Sequence, residues 1–119
     1  MNEIKIYRDL IVWQKAMQLV TKVYKTTSVF PDHEKYALSS QLRRSVVSIP
    51  SNIAEGYGRR STGDYLRFLN ISVGSLYEMQ TQLEISLNLG YVKKEWFDIV
   101  YEDSREIERM LVSLIRKIG

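Results

Sequence analysis

The 119-residue sequence contains no cysteine, one histidine and two prolines. Without cysteine the chain has no disulfide, no thiolate nucleophile and no Cys/His zinc site, and a single histidine excludes any two-histidine metal site. No apolar run approaches the roughly 18 residues that a membrane span requires. The first ten residues also lack the apolar core of a signal peptide. These absences lead us to expect a cytoplasmic protein with no membrane partner.

The residues that are present have an ordinary composition but an uneven distribution of charge. Apolar residues make up 45% of the chain and charged residues 26%, which is typical of one globular domain. The net charge is +3, yet residues 35–67 carry six bases and two acids, whereas residues 68–119 carry six bases and eight acids. We therefore expect an anionic partner to bind the middle of the chain.

Two helices are predicted in the first half of the chain, because apolar residues recur there every three or four positions. Asp9 is a candidate N-cap for the first helix, which ends before Pro31. Asp32 is a candidate cap for the second helix, which reaches about Gly56. Pro50 lies inside the second pattern and lacks an amide hydrogen, so we predict a kink there. The predicted buried stripes are Leu10, Trp13, Met17, Val20 and Tyr24 in the first helix, and Leu38, Leu42, Ser45, Ile49 and Ile53 in the second.

Two further helices are predicted in the second half of the chain. The third begins near Ser61 or Thr62 and ends at Gly90, a residue type that commonly follows a helix. Its apolar residues extend beyond one stripe, which predicts burial on more than one face. The fourth runs from about Phe97 to Ile118, with acids near its start and bases near its end, as the helix dipole favours. The predicted buried stripes are Tyr65, Leu69, Ser72, Leu76, Met79, Leu83 and Ser86 in the third helix, and Phe97, Val100, Ser104, Ile107, Leu111, Leu114 and Ile118 in the fourth.

The four segments predict an all-α fold class. The expected architecture is a single domain over residues 1–119, an antiparallel up-and-down four-helix bundle with its second helix kinked at Pro50. The broad third helix and a row of small residues on the second lead us to expect that the bundle packs against copies of itself. The alternative is that these residues only fill the core of one chain. The small residues are Ser39, Ser40, Ser45, Ser48, Ser51 and Ala54.

Three stretches of the sequence resemble a known protein family: residues 9–16, residues 41–59 with the run Ser-Ile-Pro-Ser-Asn-Ile-Ala-Glu-Gly, and residues 65–78. They are similar to the bacterial four-helix-bundle proteins encoded in intervening sequences of large-subunit ribosomal RNA genes. That family includes the accessory variability determinant of diversity-generating retroelements. The resemblance implies a ring-like homopentamer and, for the retroelement members, nucleic-acid binding and association with a reverse transcriptase. The intervening-sequence members have no established activity to carry over, and a "ribosomal protein" label reflects gene location rather than membership of the ribosome.

The basic middle of the chain supplies the candidate binding residues. Arginine binds phosphate through a planar fork, and tyrosine can stack on unpaired bases. In a cyclic oligomer each patch repeats, so a modest excess of charge becomes a positive ring. The alternative is that these arginines pair with Glu55, Asp64 or a neighbouring subunit. The candidate nucleic-acid-binding residues are Arg43, Arg44, Arg59, Arg60, Arg67, Tyr57 and Tyr65.

Other polar motifs give no indication of catalysis. Glu55 follows an apolar stretch and is expected to be a buried carboxylate that faces Arg44 or Arg59. The glycine-containing segment 56–63 lacks the Lys-Ser/Thr end of a P-loop and is expected to be a turn. The acidic row on the fourth helix has no Glu-x-x-His partner and is expected to be solvated or to face another subunit. We therefore expect no enzymatic activity, no cofactor and no metal. The row consists of Asp98, Glu102 and Glu106.

These observations leave two functions open. The first is a non-enzymatic, homo-oligomeric adaptor that binds structured or single-stranded RNA, or single-stranded DNA. The second is an oligomeric protein–protein interaction scaffold whose basic surface meets an acidic protein and never touches nucleic acid. By resemblance, a reverse transcriptase or another protein is an expected partner in either case.

Overall fold

The computed structural model describes residues 3–119, in which four α-helices are joined by short connections. Single 3-10 turns at Tyr7–Asp9 and Asp32–Glu34 precede the first and second helices. Within this part of the chain there is no strand, and no helix has the length and apolarity that crossing a membrane demands. The all-α prediction is therefore confirmed. The helices are α1 (Ile11–Thr27), α2 (Leu38–Tyr57), α3 (Thr62–Asn88) and α4 (Lys94–Ile118).

Pairs of contacting side chains show that neighbouring helices run in opposite directions. Between α1 and α4, Lys15 pairs with Glu106 and Lys22 pairs with Asp103, so the residue number on α4 falls as the residue number on α1 rises. The hydrogen bonds between α2 and α3, and those between α3 and α4, follow the same rule. Each helix contacts the two beside it in the chain's cyclic order. This arrangement is consistent with an up-and-down four-helix bundle.

The core is formed by one face of each helix, and three of the four predicted stripes are confirmed. Residues of the α2, α3 and α4 stripes near the middle of each helix are completely or almost completely shielded from solvent, whereas stripe residues near some helix ends are only half-buried. The central buried residues are Leu42, Ile49 and Ile53 of α2, Leu69, Leu76 and Leu83 of α3, and Val100, Ile107 and Leu111 of α4.

The buried face of α1 differs from the predicted one. Met17 and Tyr24 are 41% and 42% exposed, whereas Ala16 and Val23 are fully buried. Both faces have apolar residues at helical spacing, so the periodicity alone fits either. The buried face is the one that carries the smaller side chains. The observed stripe is Val12, Ala16, Leu19, Val23 and Thr27.

Asp9 does not cap α1, contrary to the prediction. It lies in the 3-10 turn before the helix, and Leu10 occupies the N-cap position. The Asp9 carboxylate accepts hydrogen bonds from the amides of Lys5 and Ile6 at 3.0 and 3.1 Å. It therefore orders the segment that leads into the bundle rather than the first turn of α1.

Asp32 does not cap α2 either, because the connection after it continues as a 3-10 turn and α2 begins only at Leu38. The carboxylate of Glu34 accepts a hydrogen bond from the Leu38 amide at 3.2 Å. Its other oxygen accepts one from the Tyr91 hydroxyl at 2.8 Å. Glu34 therefore joins the start of α2 to the α3–α4 connection, a long-range role that local spacing does not indicate.

The predicted boundaries of α3 are confirmed. The Ser61 hydroxyl accepts a hydrogen bond from the Asp64 amide at 3.1 Å, which is the arrangement of an N-cap. Gly90 follows the helix with a φ of 77°, in the left-handed region that glycine adopts without strain. Both signals act over a few residues, so they can be recognised in the sequence.

Small residues of α2 pack against α3 within the same chain. The Ser45 hydroxyl donates to the side-chain oxygen of Gln82 at 2.7 Å. The hydroxyls of Ser48 and Ser75 lie 2.8 Å apart. Of the predicted row, Ser51 is exposed and remains available to a partner. Part of the row of small residues therefore packs inside one chain, as the alternative to packing between copies predicted.

Candidate nucleic-acid interface

The seven predicted binding residues lie in two groups at opposite ends of α2. Arg43 and Arg44 lie near its start, whereas the other five lie around the α2–α3 turn. The fifteen residues from Arg44 to Arg59 correspond to about 22 Å along a helix at roughly 1.5 Å per residue. The structure therefore does not bring the seven residues into one patch. The group at the turn consists of Tyr57, Arg59, Arg60, Tyr65 and Arg67.

Two arginines at the turn share one aromatic ring. The guanidinium carbons of Arg59 and Arg67 lie 4.7 and 4.9 Å from the centre of the Phe68 ring. Arg67 also lies 3.8 Å from the Asp64 carboxylate. Cation–π contacts of this kind hold a guanidinium in place without neutralising its charge. Phe68 thus positions two positive charges at this end of the bundle.

The two tyrosines at the turn pack against each other. The ring centres of Tyr57 and Tyr65 lie 6.1 Å apart with the rings nearly perpendicular. Burial raises the pKa of the Tyr65 hydroxyl, and the neighbouring Tyr57 raises it further. Gly56 lies directly under this corner, where an added Cβ would stand 2.7 Å from the Cβ of Phe68. Both rings therefore close the α2–α3 corner, a structural role that the sequence did not indicate.

Other chain segments bring further bases to the same end of the bundle. The last residue lies beside Leu66 of α3, and Ile4 lies in a groove with Lys117 of α4. Together these segments and the turn carry seven bases and four acids. Within residues 3–119, only Arg67 of these bases forms an ion pair. We call the seven bases the basic end: Lys5, Arg8, Arg59, Arg60, Arg67, Arg116 and Lys117.

Glu55 is exposed, and the prediction that it is a buried, paired carboxylate is wrong. In the described chain, residues 3–119, no ion pair includes it. The reason is the helical step of about 100° per residue, since Ile53 and Gly56 face the interior and Glu55 points away from both. It is one of the four acids at this end of the bundle.

Arg43 has a structural role that the sequence did not indicate. Its Nε donates to the Thr27 hydroxyl at 2.8 Å, and its Nη2 donates to the Tyr24 carbonyl at 3.3 Å. Its guanidinium also lies 4.7 Å from the centre of the Tyr24 ring. A cation in this position satisfies carbonyl groups and complements the negative end of the α1 dipole. Arg43 therefore joins α2 to the last turn of α1.

Arg44 lies in a groove between α1 and α2. The groove has a volume of about 390 Å³, and its lining includes three bases and no acid. Its tyrosines and lysine were not among the predicted site residues, because Tyr24 lies on α1 while Lys35 and Tyr36 precede α2, and local spacing does not bring these segments together. We call this site the α1–α2 groove, lined by Tyr24, Lys35, Tyr36, Ser40, Arg43, Arg44 and Val47.

The acidic row of α4 is exposed, and each of its members has a basic partner. One of these partners lies on α1, so the row also helps to join the two helices. Surface pairs of this kind contribute little to stability. The pairs are Lys94–Asp98, Arg109–Glu102 and Lys15–Glu106.

Comparison with known proteins supports the sequence resemblance. The sequence matches the family described as 23S rRNA-intervening sequence protein over residues 8–113, a span that includes part or all of every helix. The chain is also similar to the crystal structure of a protein of unknown function from the S23 ribosomal protein family of Bacteroides thetaiotaomicron VPI-5482. That similarity has a TM-score of 0.80 and 28% sequence identity, and covers 88% of this chain and 98% of that one. No curated protein matches the chain.

Proposed function

Because the chain belongs to the family of 23S rRNA-intervening sequence proteins, we propose that it is a non-enzymatic, homo-oligomeric adaptor that binds RNA through its basic end. One observation carries the proposal. Six of the seven bases at this end form no ion pair within residues 3–119, so their charge is available to an anionic partner.

The geometry of the basic end suits a phosphate backbone better than a particular base sequence. Arg59 and Arg60 extend from the α2–α3 turn, and Arg59 is held against the Phe68 ring. Arginine binds phosphate in two places, and such contacts position a protein on nucleic acid without reading sequence. Each phosphate that is neutralised releases counterions, so affinity falls as salt rises. We therefore expect tight binding at low salt with modest sequence selectivity.

Assembly into a ring would repeat the basic end once in each subunit. The family resemblance implies a pentamer, and exposed apolar residues on α3 support contact with further copies. Ile71, Ile85 and Leu89 are 42%, 42% and 54% exposed. We expect light scattering to give a mass about five times the 14.0 kDa of one chain. A monomeric mass at micromolar concentration would contradict the ring.

We also propose that α2 bends at Pro50. The helix continues through Pro50 without interruption, and the Ser72 hydroxyl donates to the carbonyl of the preceding Ile49 at 2.9 Å. A proline inside a helix removes one hydrogen bond and clashes with the turn before it. We expect the α2 axis to bend at this residue, which a crystal structure would measure directly.

The test of RNA binding is fluorescence anisotropy with labelled RNA and single-stranded DNA at two salt concentrations. The double variant Arg59→Ala/Arg60→Ala should bind every sequence more weakly. The slope of its log affinity against log salt concentration should be shallower by about 1.5, as the loss of two phosphate contacts predicts. The matched control is Lys93→Ala/Lys94→Ala, which removes two adjacent charges at the start of α4. We expect the control to change affinity far less.

Three results would contradict the proposal. One is that the wild type does not bind RNA at low salt. A second is that the control variant weakens binding as much as the arginine variant does. The third is a catalytic turnover that survives rigorous purification and disappears with Glu55→Gln, since this would make the protein an enzyme.

A protein–protein interaction scaffold is a second candidate, and one observation favours it. Ile4, Ile6 and Ile11 are 44%, 49% and 57% exposed and lie on the segment that approaches the basic end. Apolar patches bordered by charge are typical of protein interfaces. A reverse transcriptase, or another protein with an acidic surface, would be the partner of such a scaffold. Binding of that partner without any RNA affinity would favour this candidate over the first.

A further inference from the structure

We propose that the α1–α2 groove is a second nucleic-acid site, which binds unpaired nucleotides of single-stranded RNA. A base stacks on the ring of Tyr36 while Arg44 and Lys35 bind the neighbouring phosphates. The inference rests on the proposed RNA binding but concerns a surface at the other end of α2. It predicts a preference for single strands that the basic end does not provide.

The charge of the groove is uniformly positive. Lys35, Arg43 and Arg44 line it, and no acid does. Arg43 is half-buried and held by two hydrogen bonds to α1, so its charge is fixed at the wall of the groove. Arg44 is exposed and is free of ion pairs within residues 3–119. A groove of this kind attracts an anion.

The groove also presents aromatic surface that the fold does not require. Tyr36 is 87% exposed and precedes α2, so its ring contributes little to the core. Tyr24 lines the groove from α1 and is 42% exposed. Unpaired bases stack on exposed aromatic rings, and they do so with little sequence preference. The exposed ring of Tyr36 is therefore suited to receive a base.

The dimensions of the groove agree with a small occupant. Its volume of about 390 Å³ lies in the range of roughly 300–1,000 Å³ that small-molecule sites have. A duplex would not offer its bases to such a site, because they are stacked inside the helix and the A-form major groove is narrow. Unpaired nucleotides offer both the base and the phosphate.

A second groove in the same protein provides an internal comparison. It lies between α3 and α4, has a volume of about 310 Å³ and is lined by Tyr77 and Tyr101. Its lining includes Glu84 and no base. The two grooves therefore differ in charge rather than in aromatic content. Only the groove with bases should bind nucleotides, and Tyr77 supplies a matched control for Tyr36.

The experiment measures the anisotropy of a fluorescein-labelled uridine hexamer and of a labelled 12-base-pair RNA duplex. Tyr36→Ala should weaken hexamer binding about tenfold, within the range for loss of one stacked base, and should change duplex binding less than twofold. Tyr36→Phe should retain hexamer affinity because stacking needs the ring alone. Arg44→Ala should weaken hexamer binding more than Lys93→Ala, which removes an equal charge outside the groove. Tyr77→Ala should leave both affinities unchanged.

The binding experiment distinguishes failure of the groove inference from failure of the proposed function. If Arg59→Ala/Arg60→Ala weakens binding of both RNAs while Tyr36→Ala and Arg44→Ala have no effect, the groove is not a site and the basic end still is. If Tyr36→Ala weakens hexamer binding but Arg59→Ala/Arg60→Ala changes neither RNA, the basic-end proposal fails and the groove remains.

Crosslinking gives a second measurement that does not depend on affinity. A hexamer that contains 4-thiouridine is irradiated on the wild-type protein, and the attached peptides are mapped by mass spectrometry. Crosslinks at Tyr24 or Tyr36 support the inference. Crosslinks confined to other regions overturn it.

Discussion

Adjacent residues in this protein have different roles because each helical step turns a side chain by about 100°. Arg43 points toward α1 and binds a carbonyl and a hydroxyl there, whereas Arg44 next to it is exposed in the groove. Both are predicted nucleic-acid ligands because each is an arginine in the basic middle of the chain. Residue type indicates what a side chain can bind, but only its direction decides whether a partner inside the protein already occupies it.

Gly56 lies where the surrounding structure leaves no space for a side chain, rather than where the backbone needs a positive φ. A Cβ there would lie 2.7 Å from the Cβ of Phe68 and 3.1 Å from a ring carbon of Tyr65. We expect Gly56→Ala to lower the free energy of unfolding by about 1–3 kcal/mol, the usual cost of an overpacked contact. Urea denaturation of the purified protein measures this change.

The control for this prediction is Gly74→Ala in α3. Nothing lies within 4 Å of a Cβ at that position, and alanine favours a helix over glycine by about 0.5–1 kcal/mol. We expect this variant to be more stable than the wild type. Equal effects of the two substitutions would show that the contact at Gly56 is not tight.

At the scale of the helices, α2 and α3 are joined by a polar seam inside an apolar core. Every buried side-chain nitrogen or oxygen in the described part of the chain has a hydrogen-bond partner. The Ser45 hydroxyl, for example, donates to Gln82, and both residues are buried. A buried polar pair favours one alignment of the two helices, because a shift along the helix would leave the Gln82 oxygen without this donor, whereas the Ser45 hydroxyl could still donate to the Leu42 carbonyl 3.0 Å away.

Removing one partner of this pair should cost more than removing both. Ser45→Ala leaves the Gln82 oxygen without its donor, and we expect a loss of about 1–2 kcal/mol in the free energy of unfolding. Ser45→Ala/Gln82→Met should recover much of that loss, because no buried group is then unpaired. Ser51→Ala, at an exposed position of the same helix, is the control. A double variant less stable than Ser45→Ala would contradict this account.

The contact between the α1–α2 and α3–α4 connections, at the end of the bundle opposite the basic end, should make the free energy of unfolding depend on pH. The hydrogen bond from Tyr91 and then that from the Leu38 amide lower the pKa of Glu34. A carboxyl whose folded-state pKa is lowered adds stability above its unfolded pKa of about 4.3, and this stability is lost as the pH falls through the folded-state value. The contribution is therefore present at neutral pH and absent in acid.

Tyr91→Phe tests this dependence, since it removes the principal donor to Glu34. We expect the variant to be less stable than the wild type at pH 7, and the difference to shrink as the pH falls below about 4. Urea denaturation across this pH range measures it. A difference that stays constant with pH would contradict the assignment of the lost stability to a hydrogen bond with an ionised Glu34 carboxylate.

At the scale of the whole molecule, the fold brings six unpaired bases from distant segments together at the basic end. The bases there come from the segment before α1, the α2–α3 turn and the last turn of α4, which are distant in the chain. The antiparallel arrangement places these segments together. In a cyclic assembly the basic ends would repeat around the axis, so a small excess in one chain would become a strong field.

Assembly predicts that thermal stability depends on protein concentration. If only the folded chain associates, mass action raises the apparent stability as concentration rises. We expect Tm to increase between about 1 and 100 µM protein. Differential scanning fluorimetry at several concentrations measures this. A constant Tm, together with a monomeric mass in light scattering, would exclude the oligomer.

The sequence by itself determined the number and approximate limits of the helices, the buried stripes of α2, α3 and α4, the cap at Ser61 and the stop at Gly90. These features depend on spacing and on hydrogen bonds within a few residues, so they are local. The resemblance of three segments also indicated the family.

The tertiary structure alone decided which of two apolar faces of α1 is buried, that Arg43 binds α1, that Glu55 is exposed, and that the predicted arginines form two groups. It also placed Tyr36 beside Arg44 in a groove. Each of these outcomes depends on which neighbouring helix a side chain meets. Local spacing cannot specify that, because contacts between helices join residues that are far apart in the sequence.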